Sequence, residues 1–142
     1  MYEKIKIQAR IIKKIPSLSN ITPPFNLNIS LKKFKALLLD IGLWQHLTGI
    51  SDYLEITSSD LSNIYRGALA EQFVGQELIC SNDGDICYWA RDKKGSSAEV
   101  DYLVTIDGKP YPIEVKSGKA GSLKSMHMIL EKYPDCPSGI VF

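Results

Sequence analysis

The chain has 142 residues and a mass of 15.9 kDa, enough for one domain that buries about two-thirds of the surface its unfolded form exposes, and too short for a multidomain enzyme. Hydrophobic residues at 44% and charged residues at 23%, with ten Gly and seven Pro, are globular values that exclude disorder, collagen-like repeats and low complexity. The net charge of +1 hides a split: residues 1–35 hold eight Lys or Arg against Glu3 alone, a net +7, and the remainder carries −6.

No apolar run approaches the roughly 20 residues of a membrane span, and the N-terminus lacks an apolar segment with a small-residue cleavage site. The expectation is a cytoplasmic protein with no membrane contact. Cys80, Cys87 and Cys136 follow neither a disulfide framework nor a zinc spacing and read as core thiols. His46 and His127, far apart with no cysteine at metal spacing, read as ordinary helix residues.

In chain order, residues 4–11 alternate polar and apolar, which puts Ile5, Ile7, Ala9 and Ile11 on one face of a strand. Residues 16–30, with Pro16, Pro23 and Pro24, read as an irregular connection. The apolar run 34–39 reads as a short buried strand. Asp40 then suits the N-cap of a helix carrying Leu43, Trp44 and Leu47, and Gly49 suits its end. The basic stretch 1–35 is set apart as an N-terminal strand and linker, with the main domain over 36–142. Such an arm meets phosphate, an acidic protein face, or only water.

A longer helix begins at Ser59 or Asp60 and runs to about Cys80, where Ser81-Asn82-Asp83-Gly84-Asp85 stops it. Strands follow over 86–91, 98–106 and 109–116, with a polar turn over 92–97. After a loop over 117–122, a helix over 123–132 takes Ser122 as its cap, and 139–142 forms the last strand. Helix, three strands, helix, strand is an α/β layer fold with an antiparallel hairpin and a helical crossover into the last strand.

Asp107-Gly108 between two alternating runs is a two-residue hairpin turn. That register sets Tyr102 against Ile113, Val100 against Val115 and Val104 against Tyr111 on an apolar face. On the other face Asp101 falls opposite Glu114, and Glu99 opposite Lys116. Two carboxylates about 5 Å apart repel by about 3 kcal/mol at an effective dielectric of 20. A divalent cation with hard oxygen ligands turns that repulsion into coordination. Lys116, two residues past Glu114, reaches beyond such an ion to orient a water or offset phosphoryl charge. The plainer alternative is a Glu99–Lys116 ion pair with Asp101 and Glu114 solvated.

On the long helix, Glu71 shares a face with Ile64, Gly67, Ala68, Val74, Gly75 and Leu78, so its carboxylate needs a partner or a shifted pKa. It either converges on the Asp101–Glu114 pair or forms a salt bridge to Arg91 or Lys116. Glu77 lies with Arg66 on the polar side.

Glu71 in a helix, Asp101 in Glu99-Val100-Asp101, and Glu114-Val115-Lys116 resemble the motif of the PD-(D/E)XK nuclease superfamily, whose core is helix, three strands, helix, strand. A closer resemblance is to the domain of unknown function at the C-terminus of prokaryotic AAA-type ATPases. It rests on Lys33-Phe34-Lys35 with Leu39-Asp40-Ile41-Gly42-Leu43, on Gly67 to Val74, on Ala98 to Tyr102 and on Tyr111 to Gly118. The resemblance implies a restriction-endonuclease-like core with a mixed sheet. It also implies Mg²⁺ or Mn²⁺ held by Asp101, Glu114 and the Val115 carbonyl, with Lys116 assisting a water and Glu71 binding metal or positioning the site. DNA would be the substrate, and an upstream ATPase domain or another protein the partner. No GxxxxGK[ST] motif is present, so nucleotide chemistry is not expected of this chain. Met1 would enter at the end of a winged-helix linker, as in a fragment or a short reading frame. A non-catalytic C-terminal interaction module of such an ATPase is the alternative function.

Overall fold

A computed structural model describes residues 11–49, 59–82, 84–91, 98–118 and 122–142. The alternating run over 4–11 lies outside these residues except for Ile11, as do the arm's Lys4, Lys6 and Arg10, the turn over 92–97 and Lys119 to Gly121.

The described chain forms strands β1 (Ile12–Leu18) and β2 (Ile29–Leu38), helices α1 (Ile41–Thr48) and α2 (Ser59–Ser81), strands β3 (Cys87–Ala90), β4 (Glu99–Ile106) and β5 (Lys109–Glu114), helix α3 (Lys124–Lys132), and strand β6 (Ile140–Val141). They build one mixed six-stranded sheet in the order β2-β1-β3-β4-β5-β6. β1 pairs antiparallel with β2 and parallel with β3, while β4 runs antiparallel to β3 and β5, and β6 is parallel to β5. The protein is therefore α/β with a mixed sheet.

Of the irregular connection expected over 16–30, residues 19–28 are non-strand, with a 3-10 turn at Phe25–Asn28, while 16–18 and 29–30 belong to β1 and β2. Pro16 cannot donate to a ladder, yet β1 tolerates it because the β1–β2 register shifts between Pro16 and Leu18. The division after Lys35 falls inside β2, whose pairing with β1 joins the basic segment to the common sheet.

Local chemistry explains the element ends. Asp40 Oδ1 accepts the Leu43 N–H at 2.8 Å, and Gly49 closes α1 at φ 69°, where a Cβ is unfavourable. Asp107 and Gly108 both take positive φ, 50° and 75°, as a type I′ hairpin turn requires. The resulting register pairs Tyr102 with Ile113 and Val104 with Tyr111. At α3 the expectation needs correction, since Leu123 holds the N-cap position without a side-chain bond and Ser122 precedes it.

Successive residues alternate between two cores. Ile15, Leu37, Ile86, Tyr88, Tyr102, Val104 and Ile113 pack with Val74, Leu78 and Ile79 of α2. Leu18, Cys87, Trp89, Val100 and Leu103 pack with Met126 and Ile129 of α3. Cys87 and Cys136 are buried, as core thiols should be, and burial, then a nearby Asp, pushes both up, to about 12 and about 11. Cys80 is exposed, which corrects its assignment to the core.

Candidate functional site: an ionic centre at the open end of the hairpin

The β3–β4 ladder contains the irregularity that creates the site. Cys87 pairs with Leu103 and Trp89 with Val100, so two steps along β3 match three along β4. The extra residue is a β-bulge across Asp101 and Tyr102, which turns both toward α2 instead of alternating. Val100, expected beside Tyr102 and Val104, packs with Leu103 under α3. Tyr102 Oη donates to the Glu71 carbonyl at 2.8 Å and so fixes the height of α2 over β4.

Lys35 of β2 lies at the centre. Its Nζ is 2.7 Å from Glu71 Oε1, 2.7 Å from Glu99 Oε1 and 3.4 Å from Asp101 Oδ1. The rings of Tyr88 and Tyr102 stand 5.1 Å and 5.7 Å away, within cation–π range. Burial by itself disfavours the ammonium, but Glu71 and then Glu99 outweigh it and hold Lys35 well above the ordinary lysine range. Burial lifts the Glu71 carboxyl; Lys35 pulls it down, Asp101 and Glu99 lift it further, and the net shift is upward. One ammonium among three carboxylates leaves two formal negative charges in excess.

Asp101 Oδ2 accepts the Val115 N–H at 2.9 Å, and the β4–β5 ladder ends at Tyr102–Ile113, one pair short of Asp101–Glu114. Glu114 pairs instead with Lys116, whose Nζ lies 2.6 Å from Oε1. The other oxygen, Oε2, is buried and has no hydrogen-bond partner among the described residues. Glu71 and Asp101 are thus brought together around Lys35, whereas Glu114 and Lys116 form a separate pair at the same end of the hairpin. The alternatives weighed for Glu71 and Glu99 name the wrong partners: Arg91 reaches Met128 Sδ, Lys116 takes Glu114, and Lys35 takes both carboxylates.

Two residues of the centre escape a reading of the sequence. Lys35 sits in a basic run, yet it shares strand parity with buried Leu37, and that parity marks it as inward. Gln72, 3% exposed, follows the i, i+3, i+7 spacing of Gly75 and Ile79. Its amide accepts the Leu38 N–H at 3.2 Å and donates to the Leu38 carbonyl at 2.8 Å, clamping α2 to the end of β2. An open cleft of about 390 Å³ beside the centre is lined by Lys35, Trp44, Ala68, Glu71, Gln72 and Glu99.

Among the described residues, no three carboxylate, histidine or cysteine groups are disposed to hold a metal ion as they stand around the ammonium. The donors are nonetheless of the kind that Mg²⁺ or Mn²⁺ takes: carboxylate oxygens, one of them buried without a partner, in a centre with excess negative charge. Among the described residues no helix is long and apolar enough to cross a membrane.

Sheet, helices and ionic centre together define an α/β domain whose polar groups gather where β4 and β5 part. Residues 66–142 match the family described as a domain of unknown function (DUF4143), and the chain belongs to that family. No curated protein and no solved structure matches it.

Proposed function

We propose that this domain is a metal-dependent phosphodiester hydrolase of the DNA endonuclease type, built on the restriction-endonuclease-like core that the PD-(D/E)XK resemblance implies. The observation that carries the reading is the charge imbalance: Glu71, Glu99 and Asp101 converge on one ammonium, beside a Glu114 oxygen that has no hydrogen-bond partner among the described residues. An uncompensated buried carboxylate is costly unless a cation or a proton reaches it.

In this reading Asp101, Glu114 and the Val115 carbonyl hold Mg²⁺ or Mn²⁺, and Glu71 binds or positions it. When bound, such an ion supplies Lewis-acid polarisation and a more acidic water. Lys116 is held by Glu114 and presents its ammonium where it orients that water or offsets charge on a phosphoryl oxygen. The cleft beside Lys35 admits a phosphate, and exposed Lys32 and Lys33 on the edge strand β2 suit backbone contacts to DNA.

Plasmid nicking with Mn²⁺ tests the proposal. The native chain should relax supercoiled DNA, and Lys116→Ala should slow it by about 100-fold or more. Equal background from both would remove the hydrolase. One observation favours a second reading, a non-catalytic interaction module such as the resemblance places behind an AAA-type ATPase: Lys35 already occupies the point between the carboxylates. Under that reading neither form nicks DNA, and the chain binds the upstream ATPase domain instead.

A further inference from the structure

We infer that Lys35 is a resident counter-cation that a divalent ion must displace, so that the centre loads by exchange of an ammonium for a metal. This rests on the hydrolase reading only in taking Glu71 and Asp101 as metal-binding groups. Both are partners of Lys35 Nζ, at 2.7 Å and 3.4 Å. A divalent ion and an ammonium on the same carboxylates repel each other, and the ion, carrying twice the charge, interacts more strongly with them.

The exchange needs movement of a side chain alone. Lys35 is fixed at its backbone by the ladder with Ile15, while its four-carbon stem is flexible. Glu99, which is outside the proposed ligand set, is 2.7 Å from Nζ and remains as a tether once Glu71 and Asp101 are surrendered. The Tyr88 and Tyr102 rings offer a second resting place for the ammonium. A displaced Lys35 stays at the wall of the cleft that it shares with Glu71 and Glu99, where it becomes a positioning residue for a substrate phosphate. The residue comes from β2, outside the family-matched stretch 66–142, so the N-terminal strands would tune a centre whose carboxylates all lie within that stretch.

Calorimetric titration of the metal-free protein with Mn²⁺, using the native chain, Lys35→Met and Lys35→Arg, tests the exchange. Lys35→Met removes the competing charge and should bind Mn²⁺ at least about tenfold more tightly, equivalent to about 1.4 kcal/mol. Lys35→Arg keeps the charge and grips carboxylates with a forked donor, so it should bind more weakly than the native chain. Melting temperature gives an independent readout: Lys35→Met should melt lower than native without metal and gain more from saturating Mn²⁺. Should Lys35→Met prove too unstable, the native and Lys35→Arg pair still decides the order. Equal or weaker Mn²⁺ binding by Lys35→Met, Lys35→Arg binding as well as native, or no binding by any form overturns the exchange. The expected order without plasmid nicking supports the exchange and removes the hydrolase. Nicking by the native chain without that order removes the exchange alone.

Discussion

The two faces of the sheet are built on different principles. Under α3 the packed centre is apolar: Trp89, Val100, Leu103, Met126 and Ile129 are each under 5% exposed, and polar groups meet it at the margin, where Lys132 lies over the Trp89 ring, Arg91 reaches Met128 Sδ and Ser125 Oγ accepts the Glu99 N–H. Under α2 the apolar packing of Val74, Leu78 and Tyr102 is interrupted by Lys35, Glu71, Gln72 and Asp101, joined by short polar contacts. An apolar face tolerates small shifts because dispersion is non-directional, whereas a polar seam holds only if each partner keeps its place. The α2 face therefore fixes positions, and the α3 face supplies bulk stability.

The largest expected effect comes from the dry face. Ile129→Ala empties a fully buried site and should lower stability by about 2–5 kcal/mol in urea unfolding. Mn²⁺ affinity should not change, since Ile129 touches nothing in the ionic centre. A concurrent loss of affinity would show that the two faces are not independent. On the other face, Gly75 lets α2 approach the sheet. A Cβ there would stand 2.6 Å from Leu37 Cδ1 and 2.8 Å from Tyr102 Cζ, one atom from each side of the centre. Gly75→Ala should cost about 2–3 kcal/mol by overpacking, and by lifting Tyr102 away from Glu71 it should also weaken Mn²⁺ binding. Loss of stability with native affinity would mean that α2 does not set the geometry.

Gln72→Leu is the next step down. It keeps the volume but leaves the Leu38 N–H and carbonyl without their side-chain partner, for a loss of about 1–2 kcal/mol. Amide exchange at Leu38 should accelerate more than at Leu103 in β4. Equal acceleration at both would mean that the clamp has only a global effect.

The same contrast between the faces explains what the sequence reveals and what it hides. The Asp107-Gly108 turn and the Asp40 cap are written in local chemistry, where one or two residue types fit a required φ or an orphan N–H. The apolar face follows from periodicity. The seam does not, because it depends on two irregularities: a bulge in the β3–β4 ladder at Asp101–Tyr102, and a side-chain carboxylate, that of Asp101, on the Val115 N–H where the β4–β5 ladder has ended. Nothing local in Glu99-Val100-Asp101-Tyr102 announces either. Lys35 is hidden for a related reason: next to Lys32 and Lys33 it reads as part of a solvated basic run, and although its parity with Leu37 marks it as inward, its three carboxylate partners are distant in sequence. Glu71 and Asp101 were legible as groups needing a partner, while the partner itself was not.

The smallest effect is a pH dependence confined to the seam. Glu71 is raised above its ordinary value of 4.5, chiefly by burial and despite Lys35. Between the ordinary value and the raised one, the folded chain holds more proton at this position than the unfolded chain does. The contribution of Glu71 is therefore complete at low pH and is lost as pH rises through the raised value. Other carboxylates titrate in the same range, so the informative quantity is the difference between the native chain and Glu71→Gln, both with chelator present. That difference should move against the native chain as pH rises from 4.5 toward neutral and then level off. Ile129→Ala, which leaves the seam intact, should follow the native pH profile at lower absolute stability. A native-minus-Gln difference that stays flat, or that favours the native chain as pH rises, would show that Lys35 fully compensates Glu71, and the seam would then have no excess charge to offer a metal.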